Sequence, residues 1–404
     1  MTTPHDVIII GAGPGGSATA HYLAQGGLDV LLLDRASFPR DKTCGDALTP
    51  WALRVLDEMG LLGDVLAKGT RQNTVDFFSP KGHFASAAVT SRDGTYSYVE
   101  IIPRLILDNM ILERAVASGA GFEGSVRVVN VERDGSEMVV TGERGRELAT
   151  YRARMVVVAT GASAGLLVRM GLLKRVPPVM LTCRAYYEGM SHLEGGVQCR
   201  FDGVPLPGYG WVFPLSATRA NVGAGIFREG IAKWWMPETA RAVFDAFIQT
   251  PALRRMLDGA TRDGPVKGFP IRVDFAHAPT FAERVAVVGE AAGLVNPVTG
   301  EGIDYALESG KMAARHIADM FAEGNFSLEP LRAYDRELRR AYQHLFVLCS
   351  RLRLFYCNPL VLNRAIQAAA RQTALQDLYM NIVMENEEVG RALAPSTLAR
   401  VAFG

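Results

Sequence analysis

The chain opens on Asp6-Val-Ile-Ile-Ile-Gly-Ala-Gly-Pro-Gly-Gly-Ser-Ala-Thr-Ala, an apolar run that breaks into glycines at G-x-G-x-x-G spacing: Gly11, Gly13 and Gly16. The β-branched run reads as a buried strand and the alanine-rich stretch after it as a helix. Gly11 permits a tight turn, Gly13 lets the backbone approach a pyrophosphate, and Gly16 lets helix and strand close together. Pro14 belongs to the same cradle. The helix N-terminus offers unpaired N–H groups and a partial positive charge to the anion. A second strand, Asp29-Val-Leu-Leu-Leu-Asp34, ends in an acid placed for ribose hydroxyls, with Arg35 beside it. These features predict a dinucleotide-binding βαβ unit over residues 4–35.

Composition narrows the partners. Lys and Arg (43) balance Asp and Glu (42), so no nucleic acid is implied. A hydrophobic share of 49% with 41 glycines suits an α/β enzyme with a buried cofactor. Cys44, Cys183, Cys199, Cys349 and Cys357 are scattered and lack C-x-x-C spacing, which predicts a reducing compartment and no zinc site. The histidines at 83, 192, 277, 316 and 344 share no metal-ligand spacing, so no metal is expected. The N-terminus lacks a basic n-region, so no secretory signal is expected, and the longest uncharged apolar stretch, Met155 to Val168, is too short to span a bilayer. The expectation is a cytoplasmic protein, at most peripheral to a membrane.

Along the chain, apolar spacing predicts helices near Trp51–Met59 and Arg104–Ala120, and a meander over residues 126–158 that re-enters the parallel sheet at Arg154-Met-Val-Val-Val-Ala-Thr-Gly161. Residues 178–265 are rich in aromatics and short strands: Leu181–Tyr187, Gly196–Phe201, Tyr209–Pro214 and Arg219–Ile226. From Ser327 onward the pattern is helical. The expected architecture is α/β: a Rossmann-like dinucleotide-binding domain with a parallel sheet, discontinuous over residues 1–72, 100–177 and 267–326. A mostly antiparallel substrate domain, residues 73–99 and 178–266, is inserted into it, and residues 327–404 form a C-terminal helical region.

Four stretches together resemble flavoproteins of the group that includes aromatic hydroxylases, lycopene cyclases and geranylgeranyl reductases. They are the glycine motif with Asp34-Arg35, Pro103-Arg104 heading a helix, Val158-Ala-Thr-Gly161, and Gly289-Glu-Ala-Ala-Gly-Leu-Val-Asn-Pro-Val-Thr-Gly-Glu-Gly302. The resemblance implies FAD, with Arg104 near the phosphates and flavin edge. It also places Thr160, Gly161, Gly289, Glu290, Pro297, Gly300, Gly302 and Ile303 around pyrophosphate, ribityl chain and ring. Glycines in the last stretch clear side chains from a flat ring, and a helix beginning near Gly302 is expected to aim N–H groups at the ring's N1/O2 side.

Two further stretches are similar to the geranylgeranyl reductase family. Phe38-Pro-Arg-Asp-Lys-Thr-Cys-Gly-Asp-Ala-Leu-Thr-Pro50 resembles its cysteine loop, in wording closest to actinobacterial menaquinone reductases, and sets Cys44 and Gly45 beside the flavin. Tyr209-Gly-Trp-Val-Phe-Pro214 resembles a substrate-cavity motif, making Tyr209, Trp211 and Phe213 pocket residues, with Tyr209 and Trp211 also candidates for the catalytic set. Two departures stand out: Thr160 where many relatives carry Asp, and Glu290 where most have Asp. Thr160 bears on nicotinamide docking, so the expected electron source is NAD(P)H or an external reductant such as a donor protein, while Glu290 bears on the ribityl hydroxyls and is expected to leave FAD binding intact.

The resemblance implies saturation of an isolated C=C bond in an apolar isoprenoid, polyene or lipid substrate. Such a bond needs hydride from flavin N5 at one carbon and a proton at the other, and Cys44 is the candidate donor. A flavin monooxygenase, epoxidase or halogenase on the same fold is an alternative, although the halogenase W-x-W-x-I-P is absent. A non-redox cyclase or isomerase is another. Arg336, Arg339, Arg340, Arg351 and Arg353, interleaved with apolar residues, suggest either a membrane-facing surface or a solvated helix face.

Overall fold

The computed structural model describes residues 4–91, 94–227, 237, 239–356, 358–384 and 389–403. Cys357 lies outside them. The strands of these residues form three sheets.

The first is built on β1 (His5–Ile10), β2 (Val30–Leu33), β8 (Gly121–Glu123), β11 (Glu147–Val158) and β18 (Val285–Val287), with β17 (Phe281–Ala282) at its edge in the order β17-β18-β11-β1-β2-β8. All these pairings are parallel except β17–β18. Val7–Ile10, Val30–Leu33 and Met155–Val158 are buried without alternation, as strands covered on both faces must be. β9 (Arg127–Asp134) and β10 (Glu137–Arg144) make the expected meander, which the long β11 carries back into the parallel sheet.

Helix α1 (Pro14–Gln25) follows β1 and crosses α8 (Ile303–Glu323) closely. The crossing depends on two glycines. A Cβ on Gly310 would lie 2.5 Å from the Gly15 carbonyl oxygen, and one on Gly15 3.0 Å from that of Ala306. α4 (Arg104–Ala117) packs on the other flank of α1, while α2 (Pro50–Glu58), α3 (Leu62–Lys68) and α5 (Gly165–Arg169) complete this half.

The second sheet runs β16-β12-β15-β14-β13-β5-β6, from β5 (Thr74–Phe78), β6 (Phe84–Ala88), β12 (Val179–Glu188), β13 (Val197–Arg200), β14 (Gly208–Pro214), β15 (Arg219–Phe227) and β16 (Thr261–Arg272). Only β13–β5 is parallel. Strand β16 carries Gly264, Pro265, Gly268 and Pro270, so its sequence does not read as a strand. It forms because it is an edge, where proline's missing N–H costs no ladder bond. β16 also crosses the division expected at residues 266/267. Helices α6 (Ala240–Phe247) and α7 (Pro251–Met256) interrupt this region, and Val243, Phe244 and Phe247 pack with Val222, Ala224 and Ile226 of β15.

A small antiparallel sheet of β3 (Ala47–Leu48), β7 (Val99–Ile101) and β4 (Thr70–Gln72) joins the two halves. The tail is helical: α9 (Leu328–Tyr356), α10 (Pro359–Arg371), α11 (Thr373–Val383) and α12 (Pro395–Phe403). Met380 and Met384 pack with Val75, Val99 and Val197, so the tail closes one end of the second sheet. Among the described residues, no helix is long and apolar enough to cross a membrane.

Candidate active site

One cavity of about 840 Å³ runs between the two large sheets. Its nucleotide end is shaped by backbone. Gly11 has φ +108°, and a Cβ there would sit 2.3 Å from the Ala159 carbonyl oxygen. A Cβ on Gly16 would lie 1.9 Å from the Gly11 oxygen, so this glycine is packed inside the turn and does not line the cavity. Gly13, Pro14 and Gly15 do line it, and no side chain caps α1. Its first-turn N–H groups are therefore available to an anion. Asp34 reaches back to this turn, accepting from the Ala12 N–H through Oδ2 and the Ala36 N–H through Oδ1, each at 2.8 Å. One lone pair on each oxygen remains for a hydroxyl. Arg35 is exposed at the rim.

The loop of residues 40–47 carries charges of alternating sign, each paired with a different element. Arg40 meets Asp108 on α4 at 2.9 Å, and Asp41 meets Arg184 at 2.5 Å and Lys267 at 2.6 Å. Lys42 meets Glu290 at 2.9 Å. Burial works against the Asp41 charge, yet Lys267 and Arg184 hold its carboxyl below the usual range.

Cys44 is half-buried on the cavity wall. Burial pushes its thiol up in spite of the Arg104 charge, so it stays protonated at neutral pH. Arg104 is buried and held by Asp108 at 2.5 and 2.7 Å; burial opposes its charge but Asp108 outweighs it, and the guanidinium also hydrogen-bonds to Cys44. Arg104 thus lies at the cavity, locked against the thiol.

Asp46, unremarked in the sequence, sits beside Cys44 with φ +70° and no solvent exposure. Its Oδ2 accepts from the Tyr186 hydroxyl at 2.6 Å and Asn221 Nδ2 at 2.7 Å, and its Oδ1 has no partner. Burial raises its carboxyl to about 6 against the pull of Tyr186 and Asn221. Asn221 also donates to the Cys44 carbonyl at 2.7 Å and accepts from Trp211 Nε1 at 3.0 Å. A lone Asn between alanine and valine in an apolar strand was the sequence signal for this network.

Tyr209, Trp211 and Phe213 lie along β14 and line the cavity. A Cβ on Gly223 would lie 2.1 Å from the Trp211 ring, and one on Gly45 2.6 Å from Phe213. These two glycines let the rings lie against backbone. The Tyr209 hydroxyl donates to the Thr299 carbonyl and the indole N–H to Asn221, which commits both polar tips to the protein.

On the opposite wall, Gly161 with φ +61°, Lys42 and Glu290 converge: a Cβ on Gly161 would be 3.3 Å from Glu290 Oε2. The extra methylene of Glu290 carries its carboxylate to Lys42 and to the Arg272 N–H at 3.2 Å. Thr160 donates to the Ser163 carbonyl at 3.0 Å. Gly289, Gly300, Gly302 and Ile303 line the cavity; Pro297 does not, and its carbonyl accepts from Arg353 at 3.5 Å.

The α8 N-terminus differs from expectation. Glu301 accepts from the Ile303 N–H at 2.9 Å and also bonds the Gly302 and Asp304 N–H groups, so a carboxylate occupies the donors expected to face a ring. An acid one residue before the helix is drawn to those unpaired N–H groups, and burial pushes this carboxyl up. The basic cluster of α9 also divides. Arg353 is buried against the Phe227 ring and Arg339 is bound to Asp335 and the Ala278 carbonyl, so the arginines form no single exposed face. Among the described residues, no group of three or more His, Cys, Asp or Glu side chains is placed to hold a metal.

An uncapped helix N-terminus behind a glycine turn, opening into a long cleft with an apolar far wall, fits FAD. Fold and cavity define an FAD-dependent oxidoreductase. Residues 4–172 match the family described as FAD binding domain. The chain is 32% identical over 394 residues to the menaquinone reductase of Mycobacterium tuberculosis, covering 94% of this chain and 90% of that one. It is 28% identical over 357 residues to a digeranylgeranylglycerophospholipid reductase of Methanopyrus kandleri, covering 84% and 88%. Among solved structures, a geranylgeranyl bacteriochlorophyll reductase-like protein from Thermoplasma acidophilum shares the fold with TM-score 0.81 at 20% identity, over 96% and 98% of the chains. The chain belongs to this family of FAD-dependent reductases.

Proposed function

We propose that the protein saturates an isolated C=C bond in an apolar isoprenoid or polyene chain, with FAD as the hydride carrier. The observation that carries this reading is the protonated Cys44 thiol beside Arg104, in the same cavity as the nucleotide turn and the aromatic wall. FAD, once reduced, supplies a hydride. The chain supplies the rest. Trp211 and Phe213, with Val75, Val197 and Cys199, offer an apolar wall that excludes water and takes a hydrocarbon. Cys44 gives its proton to one alkene carbon. Arg104 and the Asp46 backbone N–H, both bonded to the sulfur, then stabilise the thiolate left behind. Asp34 and the first turn of α1 hold the nucleotide half, and Lys42, Gly161 and Glu290 flank the middle of the cleft.

The electron source in this proposal is NAD(P)H or a donor protein. Thr160 makes a local turn bond where a carboxylate would otherwise face the cleft, which favours an external donor. An apolar substrate of this kind resides in membrane, so contact with a membrane surface belongs to the same proposal. The test is anaerobic reduction with NADPH or with dithionite, followed by addition of menaquinone or a geranylgeranyl lipid. One equivalent of saturated product per two electrons is expected. Oxygenated product on admitting air would replace this reading with a monooxygenase, and turnover without consumption of reductant with an isomerase or cyclase.

A further inference from the structure

Asn221 is the one amide side chain on a strand of small apolar residues. Along β15, Ala220, Val222, Ala224 and Ile226 pack into an apolar cluster, while Asn221, Gly223 and Gly225 turn the other way, where the Trp211 ring lies on Gly223 and Met180 on Gly225. The Asn221 side chain is wholly buried and makes three hydrogen bonds. Nδ2 donates to the Cys44 carbonyl at 2.7 Å and to Asp46 Oδ2 at 2.7 Å, and Oδ1 accepts from Trp211 Nε1 at 3.0 Å. Both amide protons are thus committed to one loop, on either side of Gly45, and the oxygen to the aromatic wall. The loop needs such a staple. Asp46 has φ +70°, a left-handed backbone that a residue with a side chain keeps only when its surroundings impose it. Gly45 lies so close to the wall that a Cβ there would come within 2.6 Å of the Phe213 ring.

We propose that Asn221 is a positioning residue that holds the Cys44 thiol and the Trp211 ring in one fixed relation. The inference deepens the reductase reading and rests on it. A proton donor and the wall that seats the hydrocarbon must stay in register, because saturating a trisubstituted alkene creates a stereocentre whose hand depends on the face attacked. Strand pairing sets Asn221 opposite Phe213 on β14 and Tyr186 on β12. Tyr186 donates to the same Asp46 oxygen at 2.6 Å. The loop therefore hangs from two neighbouring strands, and of the two residues Asn221 also holds the wall. Asn221 does not line the cavity, so it acts through the Cys44 carbonyl and the Trp211 indole. An apolar side chain of the same size would fill the space and leave both of those groups short of a partner in a dry interior.

The test uses the FAD-loaded full chain and two substitutions. Asn221→Asp keeps the acceptor for Trp211 but can no longer donate to both Cys44 and Asp46, whereas Asn221→Ala frees loop and wall together. Both are expected to lower kcat about 10²-fold, the usual cost of a displacement of about 1 Å. KM for a geranylgeranyl lipid should stay near wild type in Asn221→Asp and rise in Asn221→Ala. Both variants should also erode the stereochemical purity of the saturated product. Melting points that fall while kcat, KM and product purity hold at wild-type values would make Asn221 a packing residue and overturn the proposal. Two readouts need no substrate. Iodoacetamide labelling of Cys44, followed by peptide mass spectrometry, should run about fivefold faster in both variants, the worth of one lost hydrogen bond. Unchanged labelling would overturn the proposal as well. Hydrogen exchange of wild type needs no variant to fold: the Ile102 amide, which donates to the Asp46 carbonyl at 2.9 Å, should exchange as slowly as the amides of β15, and rapid exchange there would deny a pinned loop. If wild type saturates no alkene, the reductase reading fails while labelling and exchange still decide the role of Asn221.

Discussion

The two ends of the cavity are built by different means. At the nucleotide end, shape comes from backbone: Gly11, Gly13 and Gly16 within six residues, and an open helix N-terminus. At the thiol end, shape comes from side-chain bonds that span the chain, such as Asp46 to Tyr186 over 140 residues and Asn221 to Cys44 over 177. A local device is written in spacing and a long-range one is not. The first is hard to vary, since a single Cβ collides with backbone. The second tolerates substitution but loses its electrostatics.

The largest effect expected is at Gly16. Gly16→Val forces a Cβ against the Gly11 carbonyl, so a colourless, weakly folded protein is expected, destabilised by about 3 kcal/mol or more. Flavin absorbance and a melting curve check it, and a yellow, stable variant would break the contrast between the two ends. Next, Cys44→Ser should keep FAD and lose about 10²- to 10⁴-fold in kcat, the usual worth of a positioned acid. Wild-type turnover in that variant would return Cys44 to simple packing.

A third prediction concerns stability. The Asp46 carboxyl is raised from 3.8 unfolded to about 6 folded, so its burden is absent below the lower value, grows as pH rises between the two and is complete above the upper one. At pH 8 the burden approaches about 3 kcal/mol. Asp46→Asn, whose carbonyl can still accept from Tyr186 and Asn221, should therefore melt above wild type at pH 8 and level with it near pH 4. Equal melting at both would deny the buried acid. Smallest is Glu290→Asp, which withdraws the carboxylate from Lys42 and should cost about 1 kcal/mol, a modest drop in Tm with FAD retained. No change would make the extra methylene incidental.

Legibility in the sequence follows the same division. The parallel sheet, meander and tail were readable because their apolar spacing is local. Strand β16 was not, since an edge strand tolerates Pro265 and Pro270, which its neighbours would reject. That Tyr209, Trp211 and Phe213 line the cavity was implied by the resemblance of Tyr209–Pro214 to the family's cavity motif, whereas alternation on one strand alone left plain core equally open. That the phenol and indole tips turn away to Thr299 and Asn221 could not be read. Asp46 was hidden in plain view, one residue beyond Gly45, because its importance lies in what the fold withholds: water and a second partner. Glu301 shows the converse, a side chain settling on helix donors that spacing alone assigned to the ligand.

Arg40, Asp41 and Lys42 carry one more consequence. Arg40 and Lys42 are tied to the nucleotide half, through Asp108 and Glu290, while Asp41 between them is tied to the second sheet through Arg184 and Lys267. The loop that carries Cys44 is therefore pinned from both sides at once, and its place on the cavity wall depends on ion pairs reaching into both large sheets' surroundings.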